Sequence, residues 1–154
     1  MALPDLFKSE VQDSLVINAS KKKVFEILTR WNNYPDWNPY ITKIEGDPQI
    51  GQEIKVFFNM GFGPPLPLKC KMESVDAKKT TLSWEYQAKL PWIYTALHSF
   101  SIEEINPGQC QIVQKESMQG LFGNRLQWVY HNLLKKRFHA MHEALRHQVE
   151  HAAA

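Results

Sequence analysis

Three polar residues fall where apolar side chains are expected. His98, Gln114 and Glu116 lie in two neighbouring segments that alternate between polar and apolar residues, and all three occupy the inward phase. A polar group on the dry face of a sheet needs a hydrogen-bond partner there. If residues 106–108 (Asn-Pro-Gly) form a three-residue hairpin loop, the two segments pair as antiparallel strands and His98 lies opposite Glu116. In the same register Phe100 lies opposite Gln114, and such cross-strand neighbours are close enough to interact.

The predicted His98–Glu116 pair has two chemical uses and one structural alternative. An imidazole and a carboxylate that face each other in a partly dry pocket share a proton, which suits general acid/base chemistry. The same pair can hold the polar end of a bound ligand. Alternatively, the two groups satisfy each other and only make the fold unique, because perturbed titratable pairs also occur in purely structural networks. His98 and Glu116 are therefore candidates for catalysis and for ligand binding.

Other motifs that look like chemical sites are weaker. Residues His147 to His151 match the H-x-x-E-H pattern of some zinc proteases, but they lie where a terminal helix frays and no further acidic ligand follows. Cys70 and Cys110 lie far apart and outside any C-x-x-C motif, which argues against a disulfide framework and a thiolate zinc site. The glycine-rich stretch 61–65 contains two prolines and precedes no helix, so we expect a flexible cavity rim and no phosphate loop. Neither a metal nor a cofactor is expected.

Two short helices are predicted after an opening strand at 10–17. Ser20 is a candidate N-cap for the first helix, which continues to about Trp31. Pro35 and Pro39 permit only a short helical piece after it, because proline lacks an amide donor and restricts the residue before it. The result is a stiff corner rich in aromatic residues.

Six further strands and one long helix follow this corner. From Ile41 the hydrophobic period is two, and the strands are predicted at 41–46, 53–60, 66–75, 80–88, 95–105 and 109–118. Short turns join neighbouring strands, so the sheet should be antiparallel. From about Asn124 the period returns to 3.6, and a broad apolar face that includes Val129, Phe138 and Leu145 indicates a long helix.

One face of the predicted sheet is dry and the other is wet. Apolar residues occupy the even positions of most strands, while lysine, glutamate and serine occupy the odd ones. A curved antiparallel sheet covered by one long amphipathic helix is an α+β fold. Where the sheet bends away from the helix, a cavity remains unless large side chains fill it. The side chains expected to line this cavity are Phe58, Met60, Leu68, Cys70, Trp84, Tyr86, Trp92, His98, Phe100, Gln114, Glu116, Phe122, Leu126 and Tyr130.

The segment 88–94 places apolar bulk in a loop between two strands. If this loop were fully solvated, Trp92 and its neighbours would bury no apolar surface, so a lid over the cavity mouth is one interpretation. The alternative is that Trp92 packs on the C-terminal helix near Leu126 or Tyr130 and does not move. The sequence favours neither.

Length and composition exclude several classes of protein. The 154 residues predict a single domain over 1–154 that is large enough to bury a core. The net charge of +2 argues against a nucleic-acid partner, which would require a basic surplus on one face. No apolar stretch approaches the ~18 residues of a transmembrane span, and the first residues lack the apolar run of a secretory signal. A cytoplasmic protein is therefore expected.

Several stretches together carry a family resemblance: INASKKKVFEILTRWNNYPDWNPYITKIEG near the start, then LSWEY, HSFSIEE and QKESMQGLFG. With the order of elements, they resemble the START-like (SRPBCC) superfamily, in particular its polyketide cyclase/dehydrase and lipid-transport branch, over about Val16 to His147. The resemblance implies a helix-grip fold, in which a curved seven-stranded antiparallel sheet wraps around a long C-terminal helix. It also implies that the two short helices after the first strand close one end of a ligand cavity.

Two function classes follow, and a third is weaker. The first is a binding protein whose cavity holds a hydrophobic or lipid-like small molecule, with a polar end near His98 and Glu116. The second is an enzyme of the cyclase or dehydratase kind that uses this pair as acid and base. The third is an interaction module that binds a protein partner. The sequence leaves open whether the protein is an enzyme, what ligand it binds, and whether it is a monomer or a homodimer.

Overall fold

The computed structural model describes residues 8–151, except the side chains of residues 123, 124, 126 and 127. Its strands are β1 (Lys8–Ile17), β2 (Ile41–Glu45), β3 (Glu53–Phe58), β4 (Leu66–Asp76), β5 (Thr81–Gln87), β6 (Thr95–Asn106) and β7 (Gln109–Gln119). Its helices are α1 (Lys21–Thr29), a 3-10 turn (Trp31–Asn33), α2 (Tyr34–Trp37) and α3 (Gly123–His151). The strand and helix order predicted from periodicity is confirmed.

The seven strands form one antiparallel sheet in the order β1-β7-β6-β5-β4-β3-β2. Register shifts interrupt the pairing of β2 with β3 and of β4 with β5. Irregularities of this kind bend a strand and increase its twist, so they curve the sheet toward the helix that it encloses. Helix α3 packs along the concave face, and the helix-grip fold is confirmed.

The hairpin between β6 and β7 has the predicted register but a different loop. His98 lies opposite Glu116 and Phe100 lies opposite Gln114. The expected three-residue loop is wrong in detail, because Asn106 pairs with Gln109 and the register shifts just before that pair. The turn is therefore two residues long, with its glycine at φ 72°, and the bulge in β6 absorbs the extra residue. Farther along the strands the register is unchanged.

The proline-rich corner inserts one aromatic ring between the sheet and α3. Asn38 ends α2, and its side-chain Oδ1 accepts hydrogen bonds from the backbone nitrogens of Tyr40 at 3.0 Å and Ile41 at 2.9 Å. This cap fixes Tyr40 at the start of β2, where it is buried. Its ring lies 5.3 Å from that of Phe58 and 5.6 Å from that of Phe138. The corner thus anchors β2 and α3 together.

Helix α3 is apolar toward the sheet along most of its length. Leu134, Phe138, Met141, Leu145 and Val149 are buried at helical spacing, as an amphipathic helix requires. Val129, which was expected on the same face, is exposed. It lies in the part of α3 near the cavity, where the sheet does not press against the helix.

Candidate functional site

A cavity of about 530 Å³ lies between the concave face of the sheet and the N-terminal part of α3. Its walls come from β3, β4, β5 and β7, from the segments before β2, β4 and β6, and from α3. Pockets of this size accommodate small organic ligands. The lining residues are Tyr40, Phe58, Met60, Phe62, Gly63, Pro64, Leu66, Leu68, Tyr86, Tyr94, Glu116, Met118, Tyr130 and Leu134.

The cavity wall is aromatic and carries one acidic side chain. Six of its residues are phenylalanine or tyrosine, and Glu116 is the only carboxylate among the described residues that line it. Burial raises the pKa of the Tyr40 hydroxyl well above its usual range, and the negative charge of Glu116 raises it further. Burial, followed by the charge of Glu116, likewise raises the pKa of Tyr94. These hydroxyls therefore stay protonated near neutral pH and serve as hydrogen-bond donors.

Glu116 is backed by a buried histidine. His98 Nδ1 lies 3.5 Å from Glu116 Oε2, at the outer limit of a hydrogen bond, and the Glu116 side chain is 14% exposed. The side-chain nitrogen of Gln114 lies 2.8 Å from His98 Nε2. The two ring nitrogens of His98 therefore have different partners: Nε2 faces the Gln114 amide and Nδ1 faces the carboxylate. Gln114 thus orients the histidine ring beside Glu116.

The ring of His98 is enclosed by aromatic side chains. It stacks on Trp84 with a centroid distance of 5.1 Å, and it lies 5.0 Å from Phe100 and 5.5 Å from Phe138. Trp84 in turn contacts Trp31 from the corner after α1 at 6.4 Å. This packing fills the end of the sheet near α1 and separates His98 from the cavity, so only Glu116 of the pair reaches the cavity wall.

The structure brings together part of the wall expected from the sequence. Phe58, Met60, Leu68, Tyr86, Glu116 and Tyr130 line the cavity. The remaining expected residues with described side chains do not line it: Cys70, Trp84, His98, Phe100 and Gln114 are buried in the packed core, and Trp92 and Phe122 are exposed. Strand alternation selects a face of the sheet, but the position along each strand decides whether α1 and α3 cover that face tightly. The side chain of Leu126 is outside the described residues.

The cavity mouth lies between two loops and the start of α3. The backbone nitrogens of Leu121 and Phe122 donate to the carbonyl oxygens of Trp92 and Ile93, both at 3.2 Å. These bonds join the loop before β6 to the segment between β7 and α3. Trp92 has 54% of its surface exposed and does not line the cavity, so it is not buried against α3.

Several residues that line the cavity were not predicted from the sequence. Tyr40 lies between the corner and β2, where neither helical nor strand periodicity applies. Tyr94 and Met118 lie at strand ends, and Leu134 was recognised only as part of the apolar helix face. The glycine-rich loop, expected as a rim, does supply Phe62, Gly63 and Pro64 to the wall.

Arg137 holds the glycine-rich loop against α3. A Cβ atom on Gly61 would clash with Arg137 Nη2, so the guanidinium group packs directly on the glycine backbone. The positive charge of Arg137 also opposes, in part, the rise in the pKa of Tyr40. Arg137 therefore links α3 to the loop that supplies Phe62, Gly63 and Pro64 to the cavity wall.

A second polar cluster joins α3 to β1. Asp13 Oδ2 lies 3.0 Å from Nδ1 of buried His142 and 3.3 Å from Nδ1 of exposed His139. Within residues 8–151, no three His, Cys, Asp or Glu side chains are grouped in a way that could hold a metal ion. No helix in the same part of the chain is long and apolar enough to cross a membrane.

Comparisons with solved structures agree on the fold. A START superfamily protein from Mycobacterium smegmatis is 14% identical, with a TM-score of 0.71 over 94% of this chain and 99% of that chain. The Zhui aromatase/cyclase of a Streptomyces species is 14% identical, with a TM-score of 0.72 over 93% of this chain and 94% of the other. Norcoclaurine synthase from Thalictrum flavum, in complex with dopamine and hydroxybenzaldehyde, is 16% identical, with a TM-score of 0.72 over 96% and 89%.

The family assignment comes from the sequence. No curated protein matches this chain. The family model described as polyketide cyclase / dehydrase and lipid transport matches residues 8–150, which is nearly the whole chain. With its START-like helix-grip fold, the chain belongs to the polyketide cyclase/dehydrase and lipid transport family.

Proposed function

We propose that the protein binds a hydrophobic small molecule or lipid-like ligand in the cavity between the sheet and α3. The observation that carries this proposal is a cavity of about 530 Å³ whose wall is mostly aromatic and aliphatic and holds one carboxylate. Apolar walls with a few polar groups that fix orientation are typical of small-molecule sites. Membership of the family is consistent with ligand binding.

The polar end of the ligand meets Glu116. Tyr40 and Tyr94 are near enough to Glu116 for its charge to raise their pKa values, so two phenol donors and one carboxylate acceptor share one region of the wall. A ligand with a hydroxyl or carbonyl group at one end finds both kinds of partner there. The phenylalanine, leucine and methionine side chains of the wall surround its apolar body.

Filling the cavity should abolish binding. Leu68→Trp adds an indole to the cavity wall, whereas Leu97→Trp adds the same bulk at a partly exposed position in β6, away from the cavity. We expect Leu68→Trp to lower affinity for the neutral fluorophore Nile red by roughly tenfold or more, because a filled cavity has no room for the dye. Leu97→Trp should bind as the unmodified protein does.

Native mass spectrometry of the freshly purified proteins provides the second readout. A small molecule that co-purifies with the unmodified protein and with Leu97→Trp, and is absent from Leu68→Trp, would support the proposal and identify the ligand. Equal dye binding by all three proteins would contradict it, because the dye would then bind elsewhere.

A second candidate function is catalysis of the cyclase or dehydratase kind. The observation that favours it is Glu116 on the cavity wall, with Nδ1 of His98 behind it and tyrosine hydroxyl groups in the same wall. A carboxylate can take a proton from a carbon next to a carbonyl, while a phenol donates to the carbonyl oxygen. One structural neighbour is named an aromatase/cyclase. At 14% sequence identity, the likeness shows a shared fold and not a shared activity.

Glu116→Gln separates the two functions. The amide keeps the shape and one acceptor oxygen but cannot take up a proton. For a carrier, we expect weaker binding of the co-purified ligand by on the order of 1 to 3 kcal/mol, the contribution of one charge-assisted hydrogen bond. For an enzyme, turnover of that molecule should fall by roughly two to four orders of magnitude while affinity changes little. Unchanged affinity without any turnover in the unmodified protein would exclude Glu116 from both functions.

A further inference from the structure

Exposed apolar side chains are concentrated around the cavity mouth. Among the described residues, twelve large hydrophobic side chains are exposed. Eight of them belong to three segments that surround the mouth, residues 59–66, 88–94 and 120–130. Six form what we call the rim patch: Leu90, Trp92, Leu121, Phe122, Trp128 and Val129. Trp128 is 85% exposed, which is unusual for so large an apolar side chain.

The segments that carry the rim patch are neighbours in the fold. Backbone hydrogen bonds from Leu121 and Phe122 to Trp92 and Ile93 hold segments 88–94 and 120–130 together. Helix α3 begins directly after Phe122 and carries Trp128. Across the mouth, the glycine-rich loop adds the two remaining exposed side chains, Phe62 and Leu66, both of which line the cavity. Exposed apolar side chains grouped on neighbouring segments are typical of an interaction site.

The charges in these segments all have the same sign. Residues 59–66, 88–94 and 120–130 contain Lys89 and Arg125 and no aspartate or glutamate. Both basic residues are exposed. Apolar and aromatic side chains flanked by basic residues match the apolar interior and the anionic headgroups of a lipid surface. Tryptophan is also enriched at the boundary between membrane and water.

We propose that the rim patch docks on the surface of a membrane that contains anionic lipids, with the cavity mouth facing the lipid. A second copy of the chain fits less well, because its rim patch would bring the same two positive charges against Lys89 and Arg125. Docking requires only shallow insertion of side chains, which agrees with the lack of a membrane-spanning helix in the described residues. If the cavity binds an apolar ligand, as proposed above, docking lets that ligand pass between cavity and bilayer without crossing water.

Vesicle co-sedimentation tests the proposal. We expect the protein to bind vesicles of phosphatidylcholine and phosphatidylserine more tightly than vesicles of phosphatidylcholine alone, by about fivefold for each basic residue near the surface. Trp128→Ala and Trp92→Ala should each weaken binding roughly tenfold or more. Ile50→Ala is the matched control, since Ile50 is 66% exposed in the turn before β3, outside the three segments. The Lys89→Ala/Arg125→Ala double variant should lose the preference for phosphatidylserine.

Three outcomes overturn the docking proposal. No vesicle binding, or equal binding by the tryptophan variants and Ile50→Ala, would do so. A concentration-dependent dimer in sedimentation velocity that Trp128→Ala disrupts would assign the patch to a second copy. The two tryptophans lie in separate exposed segments, so loss of fold in one variant leaves the other to decide. Nile red binding is measured in parallel: vesicle binding without dye binding would refute the ligand-binding proposal and leave docking intact.

Discussion

At the scale of single residues, His142 shows how burial determines charge. Its ring is fully buried, and its Nδ1–H donates to Asp13. The other ring nitrogen, Nε2, is also buried and has no hydrogen-bond partner among the described residues. Burial lowers the pKa of His142 to about 4, although the charge of Asp13 acts in the opposite direction, while His139 and His98 add to the lowering. His142 is therefore neutral in the folded protein near neutral pH.

This histidine should make the fold sensitive to acid. The unfolded chain takes up a proton near pH 6.5 and the folded chain only near pH 4, so stability is full above 6.5 and falls as the pH drops between these values. The loss attributable to His142 is on the order of 3 kcal/mol. Urea denaturation across this pH range should show a shallower dependence for His142→Gln than for the unmodified protein, while exposed His147→Gln should keep it. Identical pH dependence in all three proteins would show that the pKa of His142 does not differ between the folded and unfolded chain.

At the scale of elements, the cavity mouth depends on a glycine where β7 ends. Gly120 has φ +114°, a conformation that residues with a side chain rarely adopt, and a Cβ atom there would lie 2.5 Å from the carbonyl oxygen of Ile93. The missing side chain lets the loop before β6 approach the start of α3. The contacts that form the rim of the cavity therefore require glycine at this position.

Replacing this glycine should separate the two segments. We expect Gly120→Ala to lower the free energy of unfolding by roughly 2 kcal/mol or more, because backbone strain and a clash with backbone atoms add together. Gly51→Ala is the control: Gly51 has φ +85°, but no atom lies within 4 Å of the added Cβ. Gly51→Ala should lower the free energy of unfolding by roughly 1 kcal/mol, the contribution of backbone strain alone. If chemical denaturation gives the same loss of unfolding free energy for Gly120→Ala and Gly51→Ala, the loop before β6 moves away from the added methyl group without destabilising the fold.

At the scale of the whole molecule, the space between sheet and α3 divides into a packed half and a hollow half. Phe138 lies at the boundary, with its ring 5.6 Å from that of Tyr40, which lines the cavity, and 5.5 Å from that of buried His98. Toward the C-terminus of α3, aliphatic side chains fill the space; toward the N-terminus, the cavity replaces them. Stability thus resides mainly in the packed half, and ligand capacity in the hollow half.

Phe138→Ala should extend the cavity into the core. We expect it to cost about 3 to 5 kcal/mol of unfolding free energy, because a fully buried ring is lost and the rigid neighbours cannot close the void. Lys136→Ala, on the exposed side of the same helical turn, should be nearly neutral. Thermal denaturation gives both values. A small effect of Phe138→Ala would indicate that the corner and α3 collapse into the vacated space.

Local chemistry made much of the fold predictable. Alternation with a period of two located the strands, and turn residues located their ends, because both depend on neighbours a few residues away. The His98–Glu116 pairing followed from a short hairpin, whose geometry sets the register for the whole strand pair. Even the unexpected bulge near Asn106 left this pairing unchanged. The sequence by itself therefore determined the architecture and placed a carboxylate beside an imidazole.

Only the tertiary structure decided which inward side chains meet a cavity and which meet a core. Trp84 and Tyr86 share one strand face, yet Trp84 packs against Trp31 while Tyr86 lines the cavity. The burial of His142 was equally hidden, because it depends on how α3 lies against Asp13 in β1. The two-residue period of a strand indicates which face of the sheet a side chain occupies. Whether that side chain lines the cavity depends on where elements distant in the chain pack against that face. Those contacts join residues far apart in the chain, so no local pattern encodes them.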